Sequence, residues 1–192
     1  MTNRFLLILV GTVLVVMGFT IDQFLTCTPD TDIATISSYD EAFNLGHRYV
    51  GKGGSRQFLA GGLWQTLWQP KKATQCYELA YQSFDRAVEL RPKQRDAIHN
   101  RAATLASLGA DEAALDDYYH ILTLNEGDYH ARLGIARSYE RMGELETAVR
   151  YYEEALEFME SSDYWLQIQP GRIEETRSHI ERLRQSLEKS NE

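Results

Sequence analysis

A recurrence of 34 residues constrains this chain more than any other feature. Ala80, Ala114 and Ala148 stand 34 residues apart, and so do Phe84, Tyr118 and Tyr152. Ala87, Ile121 and Ala155 keep the same step, as do Leu90, Leu124 and Phe158. Gly109 and Gly143, Leu105 and Tyr139, and Leu108 and Met142 add further columns in that register. A fixed period of this length marks a stack of similar units. Each unit buries its apolar face against the next one.

The spacing inside a unit is helical. Ala80, Phe84, Ala87 and Leu90 fall at i, i+4, i+7 and i+10, which is one stripe of a helix. Alanine lets two helices approach closely, and the aromatic residue one turn on fills the space beside it. Leu108-Gly109 and Met142-Gly143 end the first helix of a unit, because glycine takes the left-handed cap at low cost. Asp111, Glu112 and Glu144 open the second helix, where negative charge suits the helix dipole.

These residues resemble the tetratricopeptide repeat family. Residues 129–162 place Ile135, Ala136, Tyr139, Gly143, Ala148, Tyr152 and Ala155 on the family pattern. Residues 95–128 do so with Ala102, Leu105, Gly109, Ala114, Tyr118 and Ile121. Glu126 and Glu160 stand where the family often closes with proline. The first unit departs from the pattern. Its second helix is clear from Tyr77 to Pro92, but Pro70 lies where its first helix is due. A first helix reads farther upstream, where Ser38-x-x-Glu41 forms a capping box and Leu45-Gly46-x-x-Tyr49 matches the family. Residues 38–94 therefore read as a split repeat with an insertion at about 53–75. Beyond residue 162 the register ends. Ile173, Ile180, Leu183 and Leu187 form a narrow apolar stripe after Pro170-Gly171, as expected of a helix that closes a solenoid. Residues 163–192 are read as this cap and a tail, with Tyr164, Trp165 and Ile168 packed under the helix. The fold class expected is all-α, with an N-terminal membrane helix followed by about three helix pairs and a capping helix.

Phe5 to Ile21 carries no charge. As a helix it rises about 25 Å, near the lower limit for crossing a bilayer core. Residues 1–21 are read as an uncleaved anchor and 22–37 as a linker. A cleaved signal and a lipid anchor on Cys27 are the alternatives, though no small-residue cleavage site follows the apolar run and Phe24-Leu25-Thr26 is a poor lead-in to a lipidated cysteine. Arg4 precedes the span, whereas acids alone follow it until Arg48. Positive charge stays inside, so the N-terminus is expected in the cytoplasm and the repeats on the extracytoplasmic, periplasm-like side. A cytoplasm-facing domain is the alternative. Cys27 and Cys76 form no CxxC motif; whether they pair depends on geometry that spacing does not give.

The resemblance implies that the first helices line a concave groove. Carried onto this chain, the groove residues are Phe43, His47, Val50, Asp96, His99, Ala103, His130, Leu133, Arg137 and Arg141. Phe43, His47, His130 and Gly134 replace most of the residues that grip a chaperone's terminal carboxylate in some members, and Asn100 alone matches, so no chaperone carboxylate clamp is expected. Within the insertion, Trp64, Leu67 and Trp68 share one helix face, with Phe58 before them. This face is read as a cap on the first repeat, a membrane-interface element or a partner site.

Other chemistries lack their residues. A net charge of −8 without a basic patch argues against nucleic acid. The chain has no HExxH, no complete phosphate loop and no nucleophile–base motif, and the histidine spacings match no metal pattern, so neither an enzyme, a metal nor a cofactor is expected. The expected function is a membrane-tethered adaptor or assembly factor that takes a partner peptide or helix in its groove. The alternative is a permanent accessory subunit of a larger membrane complex.

Overall fold

Each apolar stripe forms a helix, and the helices follow one another in antiparallel pairs. The computed structural model describes residues 27–29, 31–59 and 70–190, of which 55–59, 70–72 and 190 are described by their backbone alone. Helices α1 (Tyr39–Leu59) and α2 (Pro70–Leu90) form the first pair. Helices α3 (Arg95–Ser107) and α4 (Asp111–Leu124) form the second, and α5 (Tyr129–Met142) and α6 (Leu145–Glu160) the third. A short α7 (Asp163–Ile168) leads into the long α8 (Pro170–Ser190). The described residues are all-α, and the anchor read over Phe5–Ile21 lies outside them. Among the described residues, no helix is long and apolar enough to cross a membrane.

The recurring columns supply the core. Ala80, Ala114 and Ala148 are fully buried, and Phe84, Tyr118 and Tyr152 fill the space beside them. The Leu90 column is looser: Leu124 and Phe158 stay partly in solvent. Gly109 and Gly143 have φ of 80° and 83°, the left-handed turn that ends the first helix of each unit. Asp128 supplies a cap at the start of α5, its carboxylate accepting the Ala131 amide at 2.9 Å.

The stretch read as an insertion, 53–75, mostly lengthens two helices in its described part. Helix α1 continues through Leu59, and α2 begins at Pro70. Proline suits a first helical position because no backbone amide is required of it there. Residues 60–69, with Trp64, Leu67 and Trp68, lie outside the described residues, and so does the Phe58 side chain.

The N-terminal end of the stack is closed by the segment expected to be a linker. Ile33 and Ile36, around a single 3-10 turn at Ile33–Thr35, bury themselves on α1 and α2. The Tyr49 hydroxyl donates to the Thr28 carbonyl at 3.3 Å, and Arg86 donates to the Ile36 carbonyl at 2.8 Å. Cys27 and Cys76 form a disulfide with their Cα atoms 5.2 Å apart, so Cys27 has no thiol left to carry a lipid. At the other end, Ile173, Ile180 and Leu183 of α8 are buried, and Leu187 is partly covered. Of the three residues expected beneath α8, Trp165 packs as predicted. Tyr164 and Ile168 instead point outward, 58% and 62% exposed, because α7 has a single turn to hide and Trp165 takes its inner side.

Candidate functional site

Helices α1, α3 and α5 present side chains that the core does not use. On α1, Phe43 and Val50 are partly buried and His47 is exposed. His47 and Phe43 lie edge-on to one another at 4.6 Å, and both face Phe84. This end of the surface is aromatic.

The middle is a histidine pair. The rings of His99 on α3 and His130 on α5 are 5.8 Å apart, and His99 also meets Tyr118 edge-on. Burial, with the Arg95 guanidinium close by, pushes His99 down to about 4, and the same two causes lower His130. Both rings are therefore neutral at physiological pH. Arg95 is held by Asp128 through two bonds of 2.6 and 3.1 Å. Among the described residues, no cluster of ligands suits a metal ion. Asp96 is exposed and Ala103 half-buried on the same helix as His99.

Helix α5 brings the carried-over residues to different ends. Leu133 is nearly buried, 8% exposed, and serves the core as much as the surface. Arg141 turns away to Asp111, whose carboxylate it binds through Nε at 2.9 Å. Arg141 thus ties α5 to the start of α4. Arg137 points into a cleft of about 480 Å³ between α5, α6 and α8.

This cleft holds the residues that the sequence pattern missed. Arg172, Glu175, His179 and Arg182 of α8 line it together with Glu140. They recur at steps of three and four along α8, beside its buried stripe. Helix α8 stands where a further first helix would stand, so it extends the surface as a fourth wall. The signal was present in the sequence: a capping helix with a polar stripe at the same spacing as its apolar one. Glu140 accepts the Tyr152 hydroxyl at 2.7 Å and His179 Nε2 at 2.9 Å. Burial works to raise its carboxyl, but these two bonds outweigh that and hold it below the ordinary glutamate range.

Comparison with known proteins agrees with this architecture. Residues 129–158 match the tetratricopeptide repeat family. No curated protein sequence matches the chain. The TPR domain of Sgt2 from Aspergillus fumigatus is similar in structure at 16% identity, with a TM-score of 0.56 over 87% of this chain and 85% of that one. The TPR2B domain of yeast Sti1, solved in complex with pHsp70, is similar at 15% identity, with a TM-score of 0.55 over 75% of this chain and 96% of that one. At these identities the likeness is one of fold, an all-α helical repeat of the tetratricopeptide type.

Proposed function

We propose that this chain is a membrane-tethered adaptor or assembly factor that holds a protein partner along the surface formed by α1, α3, α5 and α8. The observation that carries this reading is the continuous run of side chains that the core does not need. His47 on α1, His99 on α3 and His130 and Arg137 on α5 are among them, and the arginines of α8 extend the run. A surface built from parallel helices suits a helix or an extended segment. The same fold in Sti1, in complex with pHsp70, supports a protein as the class of partner.

The N-terminal apolar run supports the tether, with the N-terminus in the cytoplasm and the repeats on the oxidising side. The Cys27–Cys76 disulfide supports that side, since such bonds persist in oxidising compartments. Protease added to intact cells or spheroplasts tests it. Digestion of the repeats without breaching the inner membrane is the expected result, and digestion after breaching alone reverses the topology.

A second reading, permanent accessory subunit, draws on a separate surface. Tyr164, Leu166 and Ile168 of α7 are 58%, 49% and 62% exposed, more apolar surface than one short helix usually leaves in water. Detergent pull-down separates the two. An adaptor yields substoichiometric, salt-sensitive capture; a stoichiometric, salt-resistant complex instead establishes the subunit.

A further inference from the structure

We propose that the cleft between α5, α6 and α8 receives the carboxylates of an acidic segment of the protein partner. This rests on the reading of the surface as a partner groove, and it names the chemistry at one end of that groove.

The argument begins with how arginines are used elsewhere. Arg95 is paired with Asp128, Arg101 with Asp85 and Asp117, and Arg177 with Glu160 and Glu174. Arg141 and Arg184 are paired likewise. The chain is acidic and supplies partners freely. Arg137, Arg172 and Arg182 nevertheless converge on one cleft and form no salt bridge with a described carboxylate. Glu140 offsets part of their charge, but its Oε2 is held by His179 and Tyr152 and it forms no ion pair with any of the three, and the three arginines outnumber the two acids of the lining. His179 Nδ1 lies 3.2 Å from Arg182, so the ring fits as an acceptor on that side and a donor toward Glu140. Arg137 lies beside the Tyr152 hydroxyl and close enough to Glu140 to help lower its carboxyl, yet it forms no direct ion pair with a described carboxylate. Glu175 is the one other acid on the lining.

The cleft is therefore a local cationic site on a protein of net charge −8. Guanidinium groups are suited to carboxylates, which they bind through parallel bonds. The floor of Leu133 and Met159 is apolar and nearly or fully buried. It lowers the local dielectric, so each bond at the rim is stronger than in open water. Along α1 and α3 the groove carries Phe43, the exposed Asp96 and the half-buried His99, whose lowered pKa leaves it uncharged, so these residues do not attract the acid. The occupant that fits is an acidic polypeptide segment with an apolar side chain between its carboxylates.

The test uses the full chain in detergent micelles and two fluorescein-labelled probes, a glutamate–leucine peptide and its glutamine–leucine counterpart, read by anisotropy. The glutamate peptide is expected to bind, more weakly as salt rises, and the glutamine peptide to bind at least tenfold more weakly. Arg137→Gln with Arg182→Gln is expected to weaken the glutamate peptide about tenfold, in line with the loss of charge-assisted bonds. Arg177→Gln, on the outer side of α8, is expected to leave it unchanged; circular dichroism melts of the variants confirm that they fold. Equal binding of both peptides, or no change in the double variant, overturns the proposal. Displacement of the peptide by inorganic phosphate at similar concentration also overturns it, showing a general anion site. If no peptide binds while partner crosslinks still map to α1, α3 and α5, the groove stands and the acidic specificity falls. If the peptide binds but partner crosslinks map elsewhere, the cleft retains its acid preference and the groove reading falls.

Discussion

At the scale of single residues, polar side chains divide between those that fasten the stack and those that face outward. Asp128 does two fastening jobs, capping α5 and holding Arg95 at the start of α3. Arg141 does another with Asp111. His99 is the residue most sensitive to its surroundings. Its neighbours are Arg95, Asp96, Tyr118, Asp128 and His130, and burial dominates. Its folded-state value of about 4 lies below the ordinary 6.5, so the unfolded chain takes up the proton first as pH falls. Stability from this site is complete above pH ~6.5 and is lost progressively down to about 4, by roughly 2 kcal/mol once screening is allowed for. Urea unfolding at pH 7 and pH 4.5 should show this loss, and His99→Gln should remove most of it. An unchanged pH dependence in the variant means that the burial of His99 is not felt.

At the scale of helices, the recurring alanines and glycines decide how closely the elements approach. Gly134 of α5 lies flat on the Tyr118 ring of α4, where a β-carbon has no room. Gly134→Ala should cost about 1–3 kcal/mol through overpacking. Gly171, in the first turn of α8, faces open space, and its replacement by alanine should be neutral or slightly stabilising. The pair of variants, compared by chemical denaturation, separates close approach from simple helix propensity. Equal effects of the two substitutions contradict the packing argument. Helix α8 shows what the apolar pattern alone leaves out. Its stripe of Ile173, Ile180 and Leu183 identified it as a closing helix, and it does close the stack. Its second stripe, Arg172 to Arg182, extends the candidate groove, and hydrophobic periodicity is blind to that.

At the scale of the molecule, the helix pairs were legible because a period of 34 residues leaves few alternatives. The two ends were less so, for physical reasons. The segment at residues 27–36 has no periodicity of its own; Ile33, Ile36 and the disulfide fix it through contacts far away in sequence. The bond between Cys27 and Cys76 closes a loop with a sequence separation of 49 residues. By loop entropy such a link is worth roughly 2–4 kcal/mol. Cys27→Ser with Cys76→Ser should lower stability by that amount and free the arm to exchange its amide protons. A melting temperature unaffected by reductant contradicts this role. The groove was legible in part. The positions carried over from the family did bring His47, His99, His130 and Arg137 to exposed or half-buried sites, whereas Leu133 went largely to the core and Arg141 to Asp111.

The central claim is that the surface of α1, α3, α5 and α8 holds the partner, and site-specific photo-crosslinking in native membranes tests it most directly. A photoreactive residue is placed in turn at His47, Arg137 and Arg182, and at Asp116 and Arg150 on the outer side of α4 and α6. The account predicts one crosslinked partner from the first three positions and none from the other two. Crosslinks from Asp116 and Arg150, with His47, Arg137 and Arg182 silent, contradict it.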